Sequence, residues 1–149
     1  MTIAIVGSRY GLDFGKVAER IKIILRRSDI GLVVSGGAIG VDRIAESLAL
    51  SMGKRVHSIR PEWEKYGRSA GFRRNVKIVE MADEVHVFWD GRSRGAKSSL
   101  DIARRMSKLT FVYDDVGNQV SQESHGTPGR KSAAVGTERA LEEVPTQRT

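Results

Sequence analysis

Five short strand candidates, aliphatic runs among them, alternate with amphipathic stretches and govern what this chain can fold into. The first covers residues 3–6 and ends in Gly7. The second covers 32–34 and runs into Ser35-Gly36-Gly37. The third covers 55–59 and is stopped by Pro61. The fourth covers 84–89 and is closed by Asp90-Gly91, and the fifth is Leu109–Tyr113. Between the first two, Phe14, Val17, Ile21, Ile24 and Leu25 recur at helical spacing over 14–27. Residues 40–52 carry Ile44, Leu48 and Ala49 among helix formers. Residues 72–81 place Phe72, Val76 and Val79 on one face, expected to turn inward. A fourth helix is expected over 96–107. Strands alternating with helices of this length pair in parallel through right-handed crossovers. Strands apolar throughout need cover on both faces. The expected fold is therefore α/β: a doubly wound, mainly parallel, five-stranded Rossmann-like sheet with helices on both faces.

The pattern stops near residue 115. Residues 116–149 contain no aromatic side chain and are rich in Gly, Ser, Thr, Gln and charge. Such a segment offers little apolar area to offset the entropy of ordering it. The expected organisation is a folded domain over 1–115 and a flexible tail over 116–149, with at most a short helix around 136–144. The chain carries 25 Lys+Arg against 18 Asp+Glu, a formal net charge of +7. The tail's Arg130, Lys131, Arg139 and Arg148 balance Glu123, Glu138, Glu142 and Glu143, so the whole excess sits on the domain. That excess points to anionic partners such as phosphates, nucleotides or nucleic acid.

The absence of cysteine excludes disulfides, zinc–thiolate sites and a thiol nucleophile. His57, His86 and His125 are not spaced as metal-ligand pairs, so no metal is indicated. No cofactor is indicated either. No apolar run is long enough to span a bilayer, and no basic region precedes residues 1–6 as in a secretory signal. The expected location is the cytoplasm, with no membrane partner.

In an open parallel sheet, ligands sit beyond the carboxyl ends of the strands. The segments that follow the first four strands all carry glycine with arginine, serine or both. Gly7-Ser8-Arg9 follows the first. Ser35-Gly36-Gly37, with Gly40 and Asp42, follows the second. A glycine turn opening a helix exposes backbone N–H groups and lets a phosphate approach closely, although the G-G-x-x-G spacing is neither the dinucleotide fingerprint nor a P-loop. A tight strand-to-helix turn gives the same pattern. Asp42 and Glu46 lie four apart on one helix face. Asp42 suits ribose hydroxyls or simply favours the helix dipole. Glu46 suits a sugar contact or general base, or a solvated surface. In the third segment Trp63 and Tyr66 interleave with Lys65 and Arg68, as a base-stacking platform or as a lid on the sheet edge. Arg73, Arg74 and Asn75 follow at the start of a helix, where cations oppose the helix dipole and so suggest a role in binding. Arg92, Ser93, Arg94 and Gly95 form the fourth segment, readable as a second phosphate cradle or as a turn with solvated arginines.

Taken in order, Gly7-Ser8-Arg9, Ser35-Gly36-Gly37-Ala38 with Gly40, Asp42 and Arg43, Pro61, Trp63, Tyr66-Gly67, Ala70-Gly71, Arg74-Asn75, Phe88-Trp89-Asp90-Gly91 and Ser93-Arg94-Gly95 resemble the SLOG superfamily. This Rossmann-like group contains the DprA/Smf DNA-processing proteins and the LOG nucleotide ribohydrolases. More narrowly, the chain resembles its YspA/YpsA-related branch. The resemblance implies binding of a nucleotide or nucleotide-derived small molecule at the carboxyl edge of the sheet, as a sensor or binding module. It also implies self-association, as relatives commonly form homo-oligomers. It gives ligand roles to Gly7, Ser8, Arg9, Ser35, Gly36, Gly37, Gly40, Asp42, Trp63, Arg74, Asn75, Ser93, Arg94 and Gly95. The LOG motif P-G-G-x-G-T-x-x-E is not matched: residues 91–99 lack its glutamate, and no strand precedes Gly136-Thr137-Glu138. The alternatives are a nucleotide hydrolase with Asp42 and Glu46 as catalytic groups, or a DprA-like nucleic-acid binder using the basic residues between Lys54 and Arg74.

Overall fold

The computed structural model describes residues 1–124. Its sheet has six strands: β1 (Thr2–Gly7), β2 (Leu32–Ser35), β3 (Arg55–Ser58), β4 (Glu84–Phe88), β5 (Leu109–Tyr113) and β6 (Gln119–Glu123). Their order is β3-β2-β1-β4-β5-β6. The first five pair in parallel, and β6 returns antiparallel on β5. The helices are α1 (Phe14–Leu25), α2 (Val41–Ser51), α3 (Trp63–Tyr66), α4 (Ala70–Met81) and α5 (Arg94–Arg105).

The period-two alternation of the strands divides the core. Ile3, Ile5 and Phe88 face α1 and α2, packing on Val17, Ile21, Val41 and Ala45. Ala4, Val6, Val85 and Val87 face the opposite way, onto Ile78, Val79, Leu100 and Ala103 of α4 and α5. Both faces are therefore covered, as the unbroken apolar runs require. Chain order reverses between β1 and β4, where the register pairs Gly7 with Phe88. The connections from these two strands depart to opposite faces, which opens a crevice between their carboxyl ends.

Four features differ from the sequence expectation. Residues 119–123, expected in the tail, form β6. A turn closes the hairpin: Asp114 Oδ1 accepts the N–H groups of Val116 and Asn118, and Gly117 takes φ +79°. Arg104 clamps Glu123 at 2.7 and 2.8 Å. β6 is held by backbone pairing and turn chemistry, which hydropathy does not register. The residues after β3 form the short α3 and a 3-10 turn over Gly67–Ser69, not an open loop. Phe72 is 50% exposed, because α4 presents Ala70, Asn75, Ile78 and Val79 to the core. Helix α5 starts at Arg94, where the Ser93 side chain accepts the Ala96 N–H at 3.3 Å. The helix expected around 136–144 lies outside the described residues. No helix among the described residues is long and apolar enough to cross a membrane.

Candidate functional site

A cavity of about 400 Å³ lies in the crevice between β1 and β4. Gly7, Arg9 and Tyr10 line it from the β1 side. Asp42, Arg74 and Asn75 come from α2 and α4, and Asp90, Arg92, Ser93, Gly95 and Ser99 from the β4–α5 side.

Its floor is organised by Asp42. The residue is 5% exposed, and its Oδ1 accepts the Gly7 N–H at 3.3 Å while Oδ2 accepts the Gly36 N–H at 2.9 Å. One carboxylate thus ties the ends of β1 and β2 to the first turn of α2. Burial pushes its pKa up to about 6, opposed by the N–H groups of Gly36, Ala38 and Gly7 and by the charge of Arg74. Helix α2 can enter this close only because Gly40 precedes it. Gly40 has φ +84° and ψ −131°, and a Cβ there would lie 2.7 Å from the Ser8 carbonyl and 2.8 Å from that of Arg9.

Arg74 forms the facing wall. Its Nη1 donates to the Gly36 carbonyl at 3.0 Å, and its Nε donates to Asn75 Oδ1 at 2.9 Å. Its pKa is lowered, first by burial and then by the like charges of Arg9 and Arg60, against the pull of Asp42. Arg60 reaches the same turn from β3, with Nη1 3.4 Å from the Gly37 carbonyl. Arg43 Nε lies 3.4 Å from the same carbonyl, so the guanidinium groups of Arg74, Arg60 and Arg43 meet on one glycine turn, with the charge of Arg9 beside Arg74.

On the other side, Asp90 Oδ1 accepts the N–H groups of Arg92 and Ser93, each at 2.8 Å, and the Ser8 hydroxyl at 3.3 Å. These bonds, led by that from Ser93, hold its carboxyl below the usual range. Both cavity carboxylates are thus occupied by backbone N–H donors. The guanidinium charges of Arg9 and Arg92 are exposed at the mouth, with Tyr10 69% exposed beside them. The arrangement suits an anion with an attached flat group: phosphate on the arginines, a base against Tyr10.

Of the residues singled out from sequence, Gly7, Arg9, Asp42, Arg74, Asn75, Ser93 and Gly95 line the cavity. Ser8, Ser35, Gly36, Gly37 and Gly40 shape its walls without lining it. Ser8 is 1% exposed and Ser35 is fully buried. Glu46 is hydrogen-bonded to Ser35 instead of facing the cavity. Trp63 lies away from it, against Gly71 of α4. Arg94 points into a separate groove on α5. Arg92, read from sequence as part of the fourth segment, also lines it, whereas sequence reasoning gives no role to Tyr10 and takes Asp90 only as the residue that closes a strand. Tyr10 directly follows Gly7-Ser8-Arg9, and an aromatic beside a cation is the same signal that singles out Trp63. Among the described residues no group of His, Asp or Glu is placed to hold a metal ion.

A doubly wound sheet with a glycine-lined, arginine-rich cavity at its switch point defines a Rossmann-like fold. Residues 1–61 match the family model for DNA recombination-mediator protein A. The Gene 61 protein of Mycobacterium phage D29 is 36% identical over 120 residues, covering 76% of this chain and 96% of that protein. The chain belongs to the DprA-like SLOG superfamily, in one family with that phage protein. Among solved structures, DNA processing protein A from Streptococcus pneumoniae superposes with a TM-score of 0.62 at 22% identity. The match covers 75% of this chain and 50% of that one, so the chain corresponds to about half of that protein. DNA processing protein A from Helicobacter pylori, solved to show its single-stranded DNA binding mode, gives 0.61 at 20% identity, covering 83% and 68%.

Proposed function

We propose that this chain binds single-stranded DNA, seating one phosphate-bearing nucleotide unit in the cavity between β1 and β4. The observation that carries this reading is the gathering of Arg74, Arg60 and Arg43 on the Gly36-Gly37 turn, with the charge of Arg9 close to Arg74. Gathering like charges around a partly buried guanidinium is unfavourable unless an anion joins them. The two carboxylates nearby are already occupied by backbone donors, which leaves the arginines to hold a phosphate. The relationship to DprA-like proteins, and the strand-binding mode of the Helicobacter pylori relative, favour a polynucleotide over a free nucleotide.

A second reading is a nucleotide-derived small molecule as the resident ligand. It is favoured by the volume of about 400 Å³, which lies in the range of small-molecule pockets. Hydrolysis of such a ligand draws no support from Glu46, whose carboxylate is held by Ser35. Fluorescence anisotropy with a labelled oligothymidylate, competed by mononucleotides, separates the readings. Tight oligonucleotide binding with weak competition supports the first. Nucleotide binding without oligonucleotide binding supports the second.

A further inference from the structure

A second hollow, of about 220 Å³, lies on the outer face of α5 beside α4. It is lined by Phe72, Arg94, Lys97, Ser98, Asp101 and Arg105, among others. Its composition is unusual for a helix surface. Phe72 is 50% exposed, and Trp63, 56% exposed, packs over the preceding Gly71. Arg94 and Arg105 are exposed and make no ion pair among the described residues. The single carboxylate, Asp101, is engaged by Lys97 at 2.9 Å and Arg104 at 3.9 Å. The groove therefore presents exposed aromatic area between uncompensated cations.

It also adjoins the cavity. Asn75 lines the cavity and Ser98 lines the groove, and Asn75 Nδ2 donates to Ser98 Oγ at 3.4 Å. Ser99 and Gly95 face one hollow while Ser98 and Arg94 face the other. A wall one side-chain pair thick separates them.

We infer that this groove is a second subsite for single-stranded DNA, holding nucleotides that continue from the unit in the cavity. Phe72 stacks on a base, and Arg94 and Arg105 hold the flanking phosphates. The inference rests on the proposed DNA-binding reading. Stacking platforms interleaved with cations are how proteins hold single strands without reading their sequence.

The test is affinity as a function of ligand length, from thymidine 5′-monophosphate to oligothymidylates of about twelve nucleotides. It compares the unaltered chain with Phe72→Ala, Arg105→Glu and Arg74→Ala. The inference predicts that affinity of the unaltered chain rises with length. Phe72→Ala and Arg105→Glu should then leave monophosphate binding unchanged and weaken the longer oligomers about tenfold, while Arg74→Ala weakens every ligand. Full oligomer affinity in both groove variants overturns the subsite and leaves the cavity reading standing. Equal losses for monomer and oligomer in the groove variants also overturn it. If the unaltered chain binds no oligomer, both fall.

Discussion

Asp42 and Arg74 grip the two ends of one glycine residue. Asp42 Oδ2 accepts the N–H of Gly36 at 2.9 Å, and Arg74 Nη1 donates to the carbonyl of the same residue at 3.0 Å. The glycine turn after β2 is therefore held by opposite charges. A Cβ on Gly36 would lie 2.6 Å from Arg74 Nη1 and 2.9 Å from Asp42 Oδ2, so a larger residue would push both side chains off the turn. The pair makes the turn rigid and places a guanidinium on the cavity wall.

Acid acts on two buried groups in opposite ways. Asp42 has a folded-state pKa of about 6, above its unfolded value, so its contribution to stability grows as pH falls from 6 toward 4. His86 behaves in the opposite way. It is 2% exposed, bonded to Tyr113 Oη at 2.7 Å and Glu84 at 3.0 Å, and burial lowers its pKa. Its unfolded form charges near pH 6.5, so stability is lost below that. As pH falls from 6 toward 4 the two act in opposite directions. Denaturant titrations should show Asp42→Asn losing stability on acidification through this window and His86→Gln gaining it. Equal slopes in both variants would refute the assignment.

Acid should act differently below pH 4.5. Burial pushes the Glu84 carboxyl up, but the bonds from His86 and Arg27 outweigh it and hold the pKa at about 2. Because the folded value lies below the unfolded one, its stabilisation is lost as pH falls from 4.5 toward 2. Arg27→Gln, which removes the donors at 2.8 and 2.9 Å, should shift the acid-unfolding midpoint upward. A midpoint that does not move would show that Arg27 does not hold Glu84 in its charged form.

Gly40 combines a left-handed backbone with close neighbouring backbone atoms. Gly40→Ala meets the Ser8 and Arg9 carbonyls and forces a backbone region that side chains disfavour. It should cost about 1–3 kcal/mol, read as a thermal midpoint lower by roughly 5–10 °C. Gly53→Ala shares a positive φ but meets nothing within 4 Å, and should cost less.

Most of the fold is legible in the sequence, because β1, β2, β4 and β5 are largely apolar, the polar β3 keeps their spacing between helices, and α1 keeps a clean helical period. What escapes is held by other forces. β6 has one large apolar residue, Val120, which is 60% exposed; the strand exists through the Asp114–Asn118 turn and the Arg104–Glu123 clamp. In the site, the glycine turns and Arg74 are legible as the segments that follow strands. Trp63 is misplaced by sequence reasoning because α3 carries it onto α4, a displacement that a four-residue helix gives no periodicity to reveal. Asp90 escapes because a turn residue and a capping carboxylate look identical before the chain folds.

That difference makes the aromatic residues a test of the geometry. Tyr10→Ala should weaken oligonucleotide binding by about 1–3 kcal/mol, the worth of one stacked base. Trp63→Ala should leave mononucleotide affinity unchanged, since Trp63 lies outside the cavity. The reverse ranking, measured by anisotropy and competition, would place the base on the α3 side instead.

The most direct measurement is the salt dependence of single-stranded DNA affinity for the unaltered chain and for Arg74→Ala. Binding should weaken linearly in log–log form with salt. In the variant the slope should be shallower by about 0.7, because one phosphate is no longer neutralised. Affinity and slope both unchanged in Arg74→Ala would contradict the claim that the cavity holds the phosphate.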